Sequence, residues 1–132
     1  MRVFEAVIPL RWGDMDAMNH LNNTLYFRLM EETRIRWFWH HGLNAGPDGE
    51  GPILAHATCD FIKPLTYPGD AFVTHTVTRI GKASMGVDVT IERTDERGVI
   101  YAKGKNILVW MDYRSGKTSP WPEPLRRAIG LG

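Results

Sequence analysis

The amino-acid sequence predicts an α+β fold in which a curved antiparallel sheet of about five strands wraps around one long helix. Two observations carry this prediction. A helical pattern occupies residues 23–41, and it is the one long helix that the sequence indicates. Four strand patterns follow it, joined by short connections of the kind that hairpins use. Because a single helix can be buried by several strands only if their sheet curls around it, the curvature is part of the prediction.

The first strand is predicted over residues 3–12, where Val3, Ile8 and Trp12 stand among polar neighbours. Pro9 lies within this run. Because proline has no N–H to donate to a neighbouring strand, we expect this strand to lie at an edge of the sheet or to be bulged near Pro9.

The long helix is predicted from large side chains that recur at intervals of three and four residues. Those expected on one side of it are Phe27, Met30, Arg34, Trp37, Phe38 and His41. Asn22 or Asn23 can cap its start, and Gly42 follows its last turn, where a left-handed residue is favoured.

Residues 44–52 are rich in turn formers and are expected to form a loop. The four later strands are predicted over residues 53–63, 70–80, 84–94 and 99–111, and a short helix over residues 123–129. In the third of these strands Met85, Val87, Val89 and Ile91 alternate with polar residues, which is typical of a half-buried antiparallel strand.

Composition indicates a single domain over residues 1–132, because a chain of this length can bury one core but not two. The formal net charge is +1 and the basic residues are dispersed, which argues against nucleic-acid binding. No uncharged run is long enough to cross a membrane. The single cysteine, Cys59, and the lack of a signal-peptide pattern favour a cytoplasmic location. Unpaired edges of the expected sheet need cover, which favours a homodimer or homotetramer.

The segment RWGDMDAMNHLNN, residues 11–23, joins the first strand to the long helix and is unusually polar. Asp14 is most simply a turn residue. Asp16 lies just before the helix, whose first N–H groups are unpaired and favour negative charge. A carboxylate beside such donors can attack a carbonyl or activate a water, while the N–H groups hold the oxyanion. From the residues alone, Asp16 is either a loop-ordering residue or a catalytic one.

A resemblance covers nearly the whole chain. The residues that carry it are Asp16, Asn19, His20, Asn22, Asn23, Tyr26, Glu31 and Arg34. They resemble the D-x-x-G-H-x-N-N-x-x-Y-x-x-x-x-E-x-x-R signature of the hotdog-fold acyl-CoA thioesterases related to 4-hydroxybenzoyl-CoA thioesterase. DFIKPLTYPGD, IGKASM and SPWPEPLRRAI resemble later parts of the same family. The chain departs from the signature at Asn19, where the family has glycine. Because asparagine also tolerates a left-handed backbone, the loop shape is expected to survive.

The resemblance implies a hotdog fold and hydrolysis of an acyl-CoA or acyl-carrier-protein thioester. It implies that Asp16 is the catalytic carboxylate, acting as base or nucleophile, and that the backbone N–H near Asn23 polarises the thioester carbonyl. Neither a metal nor a cofactor is expected.

Four further side chains are candidate substrate contacts. They are His20, Asn22, Tyr26 and Ser84. Each also has a structural interpretation: a hydrogen bonder within the loop, a helix cap, a buried aromatic residue and a solvated hairpin residue, respectively.

Two other functions stay open at this point. The first is dehydration or hydration of a 3-hydroxyacyl or enoyl thioester, with His20 as the base. The second is binding of an acyl thioester without catalysis, with Asp16 only ordering the loop.

Overall fold

The computed structural model describes residues 3–43 and 49–130 as six strands, two helices and a short 3-10 turn. The strands are β1 (Val3–Pro9), β2 (Glu50–Phe61), β3 (Asp70–Ile80), β4 (Ser84–Arg93), β5 (Ala102–Asp112) and β6 (Lys117–Thr118). The helices are α1 (Asn23–His40) and α2 (Glu123–Ala128), and the 3-10 turn is Trp12–Asp14. No helix in these described ranges is both long and apolar enough to span a membrane.

All the strand pairs are antiparallel, and the sheet order is β1-β3-β4-β5-β2, with β6 beside β5. The chain therefore forms the curved antiparallel sheet and single long helix of the hotdog fold, as predicted. β1 lies at one edge, and Pro9 is its last residue, which agrees with the expectation drawn from that proline.

Helix α1 begins and ends close to the predicted positions. The Asn22 side chain caps its start by accepting a hydrogen bond from the Thr24 N–H, and Gly42 follows with a φ of 77°. The helix lies against the inner face of the sheet, where alternate residues of β3 and β4 such as Val73 and Val87 are buried.

The buried side of α1 was predicted only in part. Its buried residues are Tyr26, Leu29, Met30, Thr33, Arg34 and Phe38. Met30, Arg34 and Phe38 were expected there, whereas Phe27 and His41 are only partly covered. Small shifts of a helix about its axis are set by packing against the sheet, which local spacing does not specify.

Two predicted strand boundaries were wrong. Trp12 belongs to the 3-10 turn rather than to β1. β2 begins at Glu50, within the predicted loop, because Glu50 pairs with Asp112 and Pro52 with Trp110. Cross-strand hydrogen bonds thus extend the strand through residues whose local composition favours a turn. Residues 44–48 of that predicted loop lie outside the described residues.

Candidate active site

The polar segment before α1 forms a compact loop closed by backbone hydrogen bonds. The Asp16 N–H donates to the His20 carbonyl over 2.8 Å, and the Asn22 N–H donates to the Asp14 carbonyl over 3.1 Å. Met15 and Leu21 pair between them as an isolated antiparallel bridge. The two sides of the loop are therefore held at a fixed spacing, with Asp16 near its tip and α1 starting at its base.

The Asp16 carboxylate is exposed and is oriented by its own loop. Its Oδ1 atom accepts hydrogen bonds from the Met18 N–H over 2.8 Å and from the His20 N–H over 3.0 Å. These two bonds, the one from His20 first, lower the pKa of Asp16 below its usual value. The side chain is thus ionised at neutral pH, and its Oδ2 atom is left for another partner.

The start of α1 offers a backbone donor on the same side of the chain as this loop. Asn23 is the first helical residue, so its N–H has no acceptor within the helix. The Asn22 side chain is engaged by Thr24, whose N–H and hydroxyl both donate to its Oδ1. Since Asn22, Asn23 and Thr24 are all exposed, this end of the helix is open to a ligand.

A cleft of about 560 Å³ lies beside Asp16. Its lining residues are Trp12, Gly13, Met15, Asp16, Ala17, Asn19 and Tyr67. Trp12 is 77% exposed although it is a large aromatic residue, so the cleft wall presents apolar surface next to the carboxylate. Of the residues predicted for the site, Asp16 alone lines this cleft in a single chain.

Asp14 is held differently from Asp16. Arg11 donates two hydrogen bonds to the Asp14 carboxylate, over 2.8 and 3.0 Å, and Arg28 lies 3.8 Å from it. The hydrogen bond from Arg11 is the main reason that the pKa of Asp14 is also lowered. Both of its carboxylate oxygens are already occupied, which is the arrangement expected of a structural residue.

The remaining predicted contacts are dispersed. His20 orders the loop through its backbone N–H and carbonyl. Tyr26 is 2% exposed, and its hydroxyl accepts a hydrogen bond from the Leu65 N–H. In one chain Tyr26 therefore has almost no surface for a substrate.

Ser84 lies at the far end of the sheet from Asp16. It starts β4, whereas the Asp16 loop lies near Arg93, the last residue of that strand. Ten residues of extended strand separate the two ends by roughly 30 Å. Within a single chain, Ser84 and Asp16 cannot contact the same small group.

Trp12 and Tyr67 line the cleft but were not predicted as site residues. Trp12 was assigned to a strand, and Tyr67 lies in a turn about 50 positions along the chain from Asp16. The exposure of Trp12, which only the structure reports, is the signal that identifies it.

Cys59 and metal binding complete the inventory of reactive groups. Burial raises the pKa of the Cys59 thiol to about 11, so it is protonated at neutral pH and is a poor nucleophile. Across residues 3–43 and 49–130, no three His, Cys, Asp or Glu side chains are grouped closely enough to hold a metal ion.

Comparison with known proteins gives the same family as the motif. The model of the thioesterase-like superfamily matches residues 10–129. A solved structure from Pseudomonas aeruginosa, provisionally described as a thioesterase, is 32% identical, with a TM-score of 0.92 over 98% of this chain and 99% of that one. A provisionally described acyl-CoA thioesterase from Xanthomonas campestris is also 32% identical, with a TM-score of 0.78 over 89% of this chain and 97% of that one.

A more distant structure shows the same fold. The 1,4-dihydroxy-2-naphthoyl-CoA thioesterase from Synechocystis is 20% identical, with a TM-score of 0.86 over 97% of this chain and 96% of that one. No curated protein matches the chain at a significant level. The family match over most of the chain and the two relatives at 32% identity together establish the family. This chain belongs to the thioesterase-like superfamily, the hotdog-fold thioesterases whose opening motif its residues 16–34 resemble.

Proposed function

We propose that the protein is an acyl-CoA thioesterase that hydrolyses a thioester to a free acid and CoA, with Asp16 as the catalytic carboxylate. The observation that carries this proposal is the exposed, ionised Asp16 side chain, held by two backbone N–H groups at the wall of a cleft. The naming of related proteins as CoA thioesterases supports CoA over a carrier protein as the thiol. A cytoplasmic location stays a prediction.

Two routes use the same residues. In the first, Asp16 takes a proton from water, and the water oxygen bonds to the thioester carbon. In the second, an Asp16 oxygen bonds to that carbon and forms an anhydride, which water then hydrolyses. In both, the carbonyl oxygen becomes an anion that accepts from the Asn23 N–H, and the carbon–sulfur bond breaks to release the thiolate, which is protonated to the thiol.

A single-turnover reaction in water enriched in ¹⁸O separates the two routes. If Asp16 is the nucleophile, the label enters its carboxylate, because water attacks the anhydride. If Asp16 is the base, the label appears only in the released acid. Mass analysis of the peptide that contains Asp16 reads the difference.

The function itself is tested by measuring release of free thiol from short, long, branched and aryl acyl-CoAs. Steady thiol release with water as the acceptor supports the thioesterase. Loss of enoyl absorbance without thiol release would instead indicate a hydratase, and tight binding without turnover would indicate a binding module. Matched acyl-carrier-protein thioesters assayed alongside decide which thiol the enzyme prefers.

Asn23→Pro tests the oxyanion donor without removing the helix. Proline is favoured at the first helical position, where its missing N–H has no partner within the helix. Asn22 has a φ of −56° and a ψ of 133°, the extended conformation that a residue before proline prefers. We expect an unchanged helix signal by circular dichroism and a loss of about 10²–10³ in kcat.

Asn23→Ser is the comparison for this variant, because it alters the side chain and keeps the backbone N–H. It is expected to retain much more turnover than Asn23→Pro. Equal kcat values in the two variants would remove the Asn23 N–H from the mechanism.

The position of Ser84 is reconciled with a shared site if two chains pair through β2. β2 is the last strand of the sheet, and Ile53, Leu54 and Phe61 on it are exposed apolar residues. An antiparallel pairing of two β2 strands about a two-fold axis brings the Ser84 end of one sheet towards the Asp16 end of the other. A homodimer of this kind would let the partner's Ser84 contact a substrate bound at Asp16.

Leu54→Lys tests this assembly, since a charge on an edge strand opposes strand pairing. We expect sedimentation to show a shift from dimer to monomer and thiol release to fall with it. A wild-type protein that sediments as a monomer while turning over substrate would contradict the paired arrangement.

A further inference from the structure

Asn19 has a backbone conformation that asparagine tolerates better than most residues. Its φ is 57°, and no other residue except glycine has a positive φ in the described ranges. Its N–H donates to the Asp16 carbonyl over 3.1 Å, so it lies within the turn that orients the Asp16 carboxylate. Glycine, which the family signature has here, would satisfy this backbone requirement at less steric cost.

The Asn19 side chain does something that glycine could not do. Its Nδ2 atom donates to the Tyr67 carbonyl over 2.9 Å, and its Oδ1 atom accepts from the Tyr67 N–H at 3.4 Å. One amide side chain thus spans two loops that are 48 positions apart in the sequence. Tyr67 and Asn19 both line the cleft beside Asp16, so these bonds join two walls of the candidate site.

The turn that contains Tyr67 is itself held from the opposite side by Arg93. The guanidinium of Arg93 donates to the Thr66 carbonyl over 2.7 Å and to the Pro68 carbonyl over 2.8 Å. Arg93 is 8% exposed, and Asp95 fixes its orientation through two further hydrogen bonds. The carbonyls on both sides of Tyr67 are therefore anchored to the end of β4.

Gly69 makes this approach possible. A Cβ atom at Gly69 would lie 2.2 Å from the Arg93 Nη2 atom, and its φ of 152° also disfavours a larger residue. The guanidinium consequently packs flat against the backbone of the turn. A rigid strand end, the turn and the Asp16 loop form one hydrogen-bonded series, Arg93 to Tyr67 to Asn19.

We infer that Asn19 is a positioning residue for the proposed hydrolysis: its side chain locks the Asp16 loop to the Tyr67 turn, and Arg93 anchors that turn to the sheet. This inference rests on the proposed function for its effect on turnover, whereas its effect on the carboxylate is independent of turnover. The lock acts through Asp16, because the Met18 and His20 N–H groups reach the carboxylate only while the loop keeps its shape. A loop held in one conformation also spares the cost of ordering it around the substrate.

Asn19→Gly is the decisive variant, because glycine keeps the positive φ and removes only the two bonds to Tyr67. We expect kcat for thiol release to fall about ten-fold while KM changes little, since the defect lies in the geometry of the carboxylate. We also expect the pKa of Asp16 to rise, because its two backbone donors become less well ordered. The charged groups nearby are unaltered by this change: His20 faces Asp16, and Asp14 stays paired with Arg11 and Arg28.

The pKa of Asp16 is measured by ¹³C NMR titration of its carboxyl carbon in the whole protein, with Asp16→Asn identifying the signal. Ser115→Gly is the control, since it removes a hydrogen bond from a side chain to the backbone in the turn between β5 and β6. That turn lies at the other end of the sheet from Asp16. This control is expected to change neither the titration nor kcat.

Arg93→Lys supplies a second, independent reading of the same series, because lysine cannot donate to both carbonyls in the way the guanidinium does. If the lock works as a unit, Asn19→Gly should lower kcat less in the Arg93→Lys background than in the wild type.

Two failures are distinguishable. A wild type that releases no thiol would refute the proposed function, while the titration would still test the lock. An active wild type with the same Asp16 titration curve as Asn19→Gly would refute the lock alone. Strictly additive effects of the two substitutions would refute the role of Arg93 in it.

Discussion

Asp16→Asn is expected to lower kcat for thioester hydrolysis by about 10²–10⁴, the usual contribution of a general base or nucleophile. The amide keeps the shape of the side chain and can still accept hydrogen bonds from Met18 and His20, so the loop should stay folded. It can neither take a proton from water nor attack a carbonyl. Free-thiol release at saturating acyl-CoA measures the loss, and circular dichroism checks that the fold is retained.

Asp14→Asn is the matched control, two residues away and in the same loop. Its carboxylate is engaged by Arg11 and Arg28, so its loss should weaken the loop slightly and leave most of the activity. Equal activity of Asp14→Asn and Asp16→Asn would refute the assignment of Asp16.

The pH dependence of the wild type gives a second reading of Asp16. The ionised form is the active one, and its backbone donors lower its pKa below the usual value for aspartate. Activity should therefore persist into mildly acidic solution and fall only as the pH drops through that lowered pKa, as long as the protein remains folded.

His75 is expected to dominate the loss of stability in acid. It is fully buried on β3, its ring stacks on Phe4 at 4.7 Å between centroids, and neither ring nitrogen has a hydrogen-bond partner in the described part of the chain. Burial first, and then the positive charge of Arg34, lower its pKa to about 3. An unfolded chain would bind this proton near pH 6.5.

The sign follows from that difference. The folded state excludes the proton, so the contribution of neutral His75 is fully present above pH 6.5 and is lost as the pH falls towards 3. At 1.36 kcal/mol for each pKa unit, the loss is roughly 4–5 kcal/mol in free energy of unfolding, a large share of the stability of an ordinary domain. Urea unfolding at a series of pH values and one protein concentration measures it.

His75→Phe is the matched variant, since it keeps an aromatic ring against Phe4 and cannot titrate. The free energy of unfolding of this variant should fall much less steeply between pH 6.5 and 3 than that of the wild type. The exposed carboxylates titrate in both proteins and cancel in the comparison. Parallel curves for the two proteins would show that His75 does not control acid unfolding.

Much of the fold was predictable from local patterns. The spacing of large side chains located α1, the alternation from Met85 to Ile91 located β4, and Pro9 indicated an edge strand. These signals are readable because each depends on residues only a few positions apart. β2 was predicted to begin too late, because Glu50 and Pro52 are in a strand only through pairing with β5, which lies far along the chain.

The candidate site was predictable to a smaller extent. The motif identified Asp16 and the start of α1, and the structure adds how the Asp16 carboxylate is held. Ser84 was expected beside the substrate, yet in one chain it lies at the other end of β4. Its role in the site stays a prediction that depends on a second chain.

The sequence by itself determined the family, the single long helix and the polar loop with its two aspartates, because these are encoded in contiguous residues. Only the tertiary structure decided which aspartate is free and which is paired, and that Asn19 reaches Tyr67. Those outcomes depend on the distance between groups that the fold brings together from separate parts of the chain. Hydrogen bonds weaken steeply with distance and angle, so no local pattern specifies them.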